Sequence, residues 1–219
     1  MSETHTMPIK ELFVPKQMIS KTMALYKELT GDSSIDAAAH TITHLLPPFT
    51  ADAIIQDNGC GTGEVTKAIM ESHPPEVSHS RKLAVEANFT PTQSLTFPDH
   101  YFTHLFSNFF TSHLNDNHDP AAKQVYRTLK SGGIAIVSRW AAMAHGEPIK
   151  RAHLGTRGPV IPFPIAMPTQ WYGQDALRNF YIIGGFKGED INITTCNVSI
   201  EAKDLRRLMS ATWSFWGAS

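Results

Sequence analysis

The chain has 219 residues, of which 42% are hydrophobic and 18% charged, and this excludes a disordered, collagenous or coiled-coil protein as the main class. The 19 Lys and Arg residues nearly balance the 20 Asp and Glu residues, for a formal net charge of −1. Because no basic field attracts a phosphate backbone, a dedicated nucleic-acid binder is disfavoured. The two cysteines, Cys60 and Cys196, have neither CxxC nor Cys/His ligand spacing, so we expect no disulfide framework and no structural zinc site.

The apolar segments of the chain are short. None approaches the roughly 20 residues that span a bilayer, and the N-terminus lacks the apolar core of a signal peptide. We therefore expect a cytoplasmic protein with no membrane partner. His40 and His44 have helical i, i+4 spacing, but without a third ligand a solvated or capping role is favoured, and no metal is expected.

The first elements along the chain are helical. Apolar residues at three-to-four spacing predict an amphipathic helix over 18–29 that Gly31 ends, and a second helix over 37–46 that Pro47 ends. A short apolar run over 53–57 then leads directly into glycines. This pattern predicts a buried parallel strand, a tight turn and a new helix over 64–70.

The central part of the chain alternates strand and helix patterns. Strand character over 83–89 is followed by an aromatic-rich strand over 101–108, a helix over 120–129, a glycine-containing helix stop over 130–133 and a buried strand over 134–140. Because such alternation builds a parallel sheet flanked by helices, the fold class predicted is α/β.

The last third of the chain begins with a proline-rich stretch over 159–168, a composition typical of a lid or pocket wall. A helix over 174–183, an alternating strand over 190–200 and a final amphipathic helix over 202–216 follow. With no repeat and no linker, one domain over 1–219 is predicted, with N-terminal helices in 1–48, a central core in 49–140 and a substrate-side and C-terminal part in 141–219.

The glycine turn Asp57-Asn58-Gly59-Cys60-Gly61-Thr62-Gly63 gives the strongest local signal. Its glycines allow a ligand to approach the backbone, and the following helix presents N–H groups. A dinucleotide fingerprint places a third glycine at position 64, where this chain has Glu64, and no Gly-Lys-Ser/Thr of a P-loop follows. Both NAD and ATP are therefore disfavoured.

Three motifs in order resemble class I S-adenosylmethionine-dependent methyltransferases of the small-molecule type found in fungal secondary metabolism. The glycine turn is similar to the family's D/E-x-G-x-G-x-G motif. Leu95-Thr96-Phe97-Pro98-Asp99 with Phe102 and Ser107-Asn108-Phe109 is similar to the stretch leading into the family's fourth strand, and residues 125–133 are similar to the R-x-L-K-P-G-G turn before strand five. The resemblance implies a Rossmann-like, mostly parallel sheet.

The resemblance also implies a cofactor, S-adenosylmethionine, and the residues that hold it. Asp57 would bind the cofactor's amino group, and Gly59, Gly61 and Gly63 would form a cradle for its methionine end. Asn108 and Phe109 would lie at the end of strand four beside the transferred methyl group.

Substrate-side candidates follow from the same resemblance. His113 is the candidate that orients or deprotonates a substrate hydroxyl, with a solvent-exposed capping histidine as the equal alternative. Trp140, Trp171 and Tyr172 would form an aromatic substrate wall, although ordinary core packing is the favoured interpretation of these rings.

The chain departs from the family's pattern in two places. Between Gly63 and Leu95 it is too short by about one strand and helix, which leaves two registers open. Either residues 83–86 are strand two, with Glu86 binding the ribose hydroxyls, or residues 85–89 are strand three, with Pro91-Thr92-Gln93 at the adenine turn. The family's final antiparallel strand has no counterpart before Ser219, so the fold is expected to be incomplete, with an open sheet edge covered by a homodimer or partner subunit.

Two functions from different classes follow. The first is S-adenosylmethionine-dependent methyl transfer to a small-molecule, secondary-metabolite acceptor by alignment and proton removal. The alternative is a methyltransferase-like protein that transfers no methyl group and guides cyclisation, isomerisation or product partition in a biosynthetic pathway. A third hypothesis is a non-catalytic protein that uses the fold as a heterodimer partner.

Overall fold

The computed structural model describes residues 19–72, 86–110, 114, 118–142, 145–161 and 173–216. The chain divides into two compact units. The helical unit comprises Met1–Gly31, Met143–Met167 and Ile200–Ser219, and the sheet unit comprises Asp32–Ala142 and Pro168–Ser199. The single domain expected from the sequence stays a prediction.

The helices and strands of the described residues are, in chain order, α1 Met23–Thr30, α2 Ser33–His44, β1 Ile55–Asp57, α3 Glu64–Glu71, β2 Phe102–Asn108, α4 His118–Thr128, β3 Leu129–Ser138, α5 Gly146–Arg157, α6 Gln174–Gly184 and α7 Leu205–Trp216. Short 3-10 turns lie at Thr92–Ser94 and Gly188–Asp190.

The sheet of the sheet unit has three parallel strands in the order β1-β2-β3. Asp57 lies opposite Phe106, and Asn108 lies opposite Ser138, so all three strands end at one edge. The predicted α/β class with a parallel sheet is confirmed. Because a parallel sheet binds ligands beyond the carboxyl ends of its strands, this edge is the place to look for a site.

Both faces of the sheet are covered. On one face, the fully buried Leu105 joins a cluster with Val125 of α4 and Phe180 of α6. On the other face, Phe106 packs with Ala38 of α2 and Val65 of α3. Neighbouring residues of β2 thus point into opposite cores, as the alternation of a strand requires. Burial on both faces explains why the adjacent residues Leu105 and Phe106 are both apolar and both buried.

The predicted helix stop over 130–133 lies inside β3, because the strand begins at Leu129 rather than at Ile134. The register passes from Phe102 opposite Leu129 to His104 opposite Ile134, so residues 130–133 form a bulge. A Cβ at Gly133 would lie 2.9 Å from the Lys130 carbonyl oxygen and 3.0 Å from that of Thr103. Glycine is therefore required for this close approach of the two strands.

The strand predicted over 190–200 is wrong. After the 3-10 turn Gly188–Asp190, residues 191–200 form no regular structure. The strand predicted over 83–89 lies partly outside the described residues, and its described part, 86–89, is irregular. Helix α5 was not predicted, because Gly146, Pro148 and Gly155 disguise its helical spacing.

A tyrosine hydroxyl occupies the outer edge of β3. Tyr181 of α6 donates a hydrogen bond to the Ala135 carbonyl oxygen at 3.0 Å, and the Val137 backbone N–H bonds the same hydroxyl. The Ser138 carbonyl accepts a hydrogen bond from the Phe109 N–H at 3.2 Å and therefore points toward β2. Because backbone groups alternate in direction along a strand, the Ala135 carbonyl and the Val137 N–H point away from β2. Burial raises the pKa of Tyr181 strongly, so the hydroxyl stays protonated. The edge expected to be open is thus partly closed by this chain.

The helical unit has its own small core. Leu25 and Leu29 of α1 are buried with Ala211 of α7. At the surface, Arg207 donates two hydrogen bonds, at 2.6 and 2.7 Å, to the Glu28 carboxylate, and it lowers the pKa of that carboxyl. In the part of the chain that is described, every helix is too short or too polar to cross a membrane.

Candidate functional site

The glycine turn directly follows β1, where its backbone takes a conformation that other residues rarely adopt. Gly59, Gly61 and Gly63 have φ angles of +75°, +56° and +84°. In this left-handed region a side chain is strained, which explains the choice of glycine. The turn ends at Gly63, the residue before the first turn of α3. The predicted sequence of strand, glycine turn and helix is therefore confirmed.

Asp57, the last residue of β1, is fixed by the helix that follows the turn. Its Oδ2 accepts hydrogen bonds from the Thr66 backbone N–H at 3.1 Å and the Thr66 hydroxyl at 2.8 Å. Burial raises the pKa of Asp57 above its usual value, the two Thr66 bonds oppose this, and the Glu64 charge adds to the rise. A partly buried carboxylate held in one orientation is suited to bind a cationic group.

Asn58 joins three segments of the sheet unit, and sequence reasoning did not single it out. It is 4% exposed, and its backbone N–H donates to the Phe106 carbonyl at 2.8 Å. Its side-chain Nδ2 donates to the Ser107 hydroxyl at 3.2 Å, and its Oδ1 accepts from the Thr92 hydroxyl at 3.0 Å. The glycine turn is thereby tied to β2 and to the 3-10 turn Thr92–Ser94.

The contact from Thr92 bears on the two registers. It brings Pro91-Thr92-Gln93 beside the glycine turn, which is where the second register places these residues. Glu86, the ribose-binding candidate of the first register, is exposed in an irregular segment. The position of this turn agrees with the second register, but the strand which that register places over 85–89 is absent from the described residues 86–89, so both registers stay predictions.

At the end of β2, the side chain of Asn108 bonds within the protein. Its Nδ2 donates to the Ser34 carbonyl at 3.0 Å, and its Oδ1 accepts a short hydrogen bond from the Ser138 hydroxyl. Asn108 therefore links β2 to β3 and to the first turn of α2. These contacts make it a residue that holds the edge of the sheet in place.

Phe109 turns the chain away from the sheet. It has a φ of +52°, which is unusual for a bulky residue and costs about 1 kcal/mol or more. Its N–H is held by the Ser138 carbonyl at 3.2 Å and by the Ser138 hydroxyl at 3.1 Å. Its ring stacks on Trp140, with centroids 4.2 Å apart and planes 17° apart. Trp140 is half-buried, and in the described structure its indole Nε1 is buried without a hydrogen-bond partner.

The next ring, that of Phe110, lies against the glycine turn. A Cβ built on Gly59 would lie 2.5 Å from the Cγ and Cδ2 atoms of Phe110. A Cβ on Gly63, by contrast, would meet no atom within 4 Å. Two glycines of the motif therefore serve different purposes, since one accommodates an aromatic ring and the other leaves open space.

A shallow, open cavity of about 570 Å³ adjoins the turn. It is lined by the turn residues Cys60, Gly61, Thr62 and Gly63 and by Thr66, Lys67, Met70 and Glu71 of α3. Partial burial and the nearby Asp57 charge raise the pKa of the Cys60 thiol. Within the described ranges, no group of three His, Cys, Asp or Glu side chains is placed to hold a metal ion.

The structure brings together some of the predicted site residues. Those that meet at the carboxyl edge of the sheet are Asp57, Gly59, Gly61, Gly63, Asn108, Phe109 and Trp140. Glu86 bonds to none of them, and His113, Trp171 and Tyr172 lie outside the described residues. Asn58, Thr66 and Phe110 were missed. Of these three, only Thr66 has a signal in the sequence. It is a threonine in the first turn of the helix that follows an acidic residue at the end of a strand.

Comparison with protein families gives a match that includes most of this site. Residues 56–137 match the family model described as a methyltransferase domain. The match begins at Gln56 in β1 and ends at Val137 in β3, so it includes the glycine turn and all of β2. No curated protein matches the chain.

Proposed function

We propose that this chain catalyses S-adenosylmethionine-dependent methyl transfer to a small-molecule acceptor. The observation that carries the proposal is the Asp57 carboxylate, fixed by two bonds from Thr66, directly before a turn of left-handed glycines. The methyltransferase-domain match over residues 56–137 includes this arrangement and supports it.

The turn fits the methionine end of the cofactor. A ligand can approach the Gly63 backbone closely, since no atom lies where a side chain would be. The carboxylate of Asp57 is suited to the cofactor's ammonium group, whereas the acidic pair of Asp57 and Glu64 beside the start of α3 disfavours a phosphate. The bound cofactor would supply an activated methyl group on a sulfonium.

The residues of this chain would then align the acceptor and manage its proton. The stacked rings of Phe109 and Trp140 offer an apolar wall at the same edge of the sheet, suited to a flat organic acceptor. Alignment of the acceptor atom with the methyl group provides most of the rate enhancement in such a transfer. His113, which follows this edge in sequence, is the residue we propose to take the acceptor proton.

The second candidate function, a methyltransferase-like protein without methyl transfer, is favoured by one observation. Near the glycine turn, the Thr92 hydroxyl is already bound to Asn58, and Pro91 has no N–H to donate. Glu86 is exposed in an irregular segment. Neither Glu86 nor the turn Pro91-Thr92-Gln93 therefore provides a fixed acid for the adenosine end of a cofactor, and the missing contacts would weaken binding by about 1–3 kcal/mol each.

Calorimetric titration with S-adenosylhomocysteine separates the two functions without turnover. Methyl transfer predicts micromolar binding, about −8 kcal/mol, by the folded wild-type chain. It also predicts much weaker binding by Asp57→Asn and unchanged binding by the control Asp99→Asn, whose carboxylate bonds Arg127. Absence of both heat and a thermal shift, from a sample folded by circular dichroism, would reject methyl transfer and favour the second candidate.

A further inference from the structure

We propose that Phe110 is a positioning residue, whose ring holds the Gly59 backbone of the cofactor turn in place. The proposal rests on the proposed function, because it assigns a role toward the same cofactor. It is carried by the contact between Phe110 and Gly59, which no side chain at position 59 could accommodate.

The ring of Phe110 lies very close to Gly59. A Cβ on Gly59 would lie 2.5 Å from two ring carbons and 3.1 Å from the Cβ of Phe110. Non-bonded carbon atoms prefer separations of about 3.5–4.0 Å, so the ring occupies the space of a side chain at position 59. Phe110 is half-buried and packs on the core cluster of Leu105, whereas Gly59 remains exposed. The ring therefore supports one side of the turn and leaves the other side open to a ligand.

The backbone immediately before Phe110 is held in place. Phe109 is held in its left-handed conformation by two hydrogen bonds from its N–H to Ser138 and by the stack on Trp140. The two consecutive rings thus point in different directions. The ring of Phe109 reaches the end of β3, and the ring of Phe110 reaches the turn after β1. Because its backbone is anchored, Phe110 can hold Gly59 at a set position.

Gly63 has no such neighbour. Its Cβ position is empty, so its left-handed φ of +84° is the reason for glycine there. At Gly59 the φ of +75° and the aromatic ring both require glycine. Removal of the ring would leave the turn unsupported on one side, and a shift of about 1 Å at a binding turn is enough to lose tenfold or more in affinity.

The chain provides a matched control at Gly185. A Cβ there would lie 3.1 Å from the Cδ1 of Tyr126, so an aromatic ring also covers this left-handed glycine, with φ of +117°. Tyr126 lies on α4, and Gly185 lies directly after α6. Tyr126→Ala removes a ring from a glycine that has no part in the proposed site.

The experiment measures S-adenosylhomocysteine affinity by calorimetry and the melting temperature of each variant. We expect Phe110→Ala to raise Kd tenfold or more, Phe110→Leu to restore it to within about threefold of wild type, and Tyr126→Ala to leave it unchanged. We also expect Gly59→Ala to lower the melting temperature sharply in the wild-type background and much less in the Phe110→Ala background, because the two positions are in direct contact.

The outcomes distinguish the two proposals. Wild-type binding with an unchanged Kd in Phe110→Ala overturns the role of Phe110 and leaves the proposed function standing. An equal rise in Kd for Tyr126→Ala also overturns it, because a general loss of structure would then explain both. If Phe110→Ala does not fold, the same decision falls on Phe110→Val, which also removes most of the ring and should raise Kd tenfold or more. Absence of binding by the folded wild-type chain overturns the proposed function, and the role of Phe110 with it.

Discussion

Thr66 donates both its backbone N–H and its hydroxyl to one oxygen of Asp57, at 3.1 and 2.8 Å. Thr66 lies in the first turn of α3, where N–H groups have no partner within the helix. Gly63, at the N-cap position, has no side chain to satisfy them. The carboxylate therefore acts as the cap that the glycine cannot provide, and under the proposed function the same residue also presents a charge to the cofactor.

The dual role of Asp57 gives a prediction for Asp57→Asn. Burial raises the pKa of Asp57, so the folded state binds its proton more tightly than the unfolded state does, and the stability contributed by this group falls as pH rises through that interval. Asparagine retains an acceptor for Thr66 and has no charge to bury. We expect the variant to melt at the same or a higher temperature at pH 7 and to lose this pH dependence.

The affinity of Asp57→Asn for the cofactor should fall even though its melting temperature does not. Loss of a charged partner for the cofactor's amino group should weaken S-adenosylhomocysteine binding by about tenfold or more, since such hydrogen bonds contribute about 1.5–3 kcal/mol. Melting curves from pH 3 to 8, with calorimetry at pH 7, measure both effects. Equal affinity of the variant and the wild type would contradict the assigned role.

A second prediction concerns Asn58. Asn58→Ala removes the side-chain bonds to Ser107 and Thr92 and leaves both hydroxyls buried without this partner. We expect the free energy of unfolding to fall by about 2–4 kcal/mol, at about 1–3 kcal/mol for each unsatisfied group. Thr92→Val removes only one of the bonds and should cost about 1 kcal/mol. Urea denaturation of both variants measures the two losses in free energy of unfolding. Equal losses would show that Asn58 does not join the segments.

A third prediction concerns Arg127. Its guanidinium donates to the carbonyls of Leu95 at 2.8 Å and Phe97 at 2.9 Å, and to the side chains of Gln124 and Asp99. Lysine cannot reach these acceptors at once, so Arg127→Lys should lower the free energy of unfolding by about 2 kcal/mol. Asp99→Asn, which alters only the exposed partner, should cost about 0.5 kcal/mol or less. Comparable losses in both variants would assign the stabilisation to the ion pair instead.

A fourth prediction concerns the edge of the sheet. Tyr181→Phe keeps the buried ring but removes the hydroxyl that bonds the Ala135 carbonyl and the Val137 N–H. We expect a loss of about 1–3 kcal/mol in stability, and concentration-dependent self-association, because unpaired groups of an edge strand can pair with another chain. Light scattering over a range of protein concentrations checks this. A variant that stays at the wild-type mass would show that the hydroxyl does not protect the edge.

Sequence patterns predicted the sheet and its flanking helices well because local hydrophobicity determines them. The apolar run before Gly59 and the aromatic run over 102–108 are strands because both faces of the sheet are buried. The same reasoning failed over 190–200, where alternation is present but no strand forms, because a strand also needs a neighbouring strand to pair with. Pairing depends on a distant residue that no local pattern records.

The candidate site was predicted in part for a similar reason. Asp57 and the glycines follow a recognisable spacing, and the structure places them together. Asn58 occupies a position at which the motif permits any residue, so its three contacts have no signal in the sequence. The role of Phe110 depends on the left-handed conformation of Phe109, which sequence alone does not predict for an aromatic residue.

The ring of Phe109 stacks on Trp140 after β3, and the ring of Phe110 contacts Gly59 after β1, so two residues at the end of β2 connect the ends of all three strands. The residues that hold this arrangement, Ser138 among them, differ from the one proposed to take the acceptor proton. Under the proposed function we therefore expect acceptor chemistry and cofactor affinity to be separable properties. Substitutions at His113 should alter the methyl transfer while the affinity for S-adenosylhomocysteine stays constant.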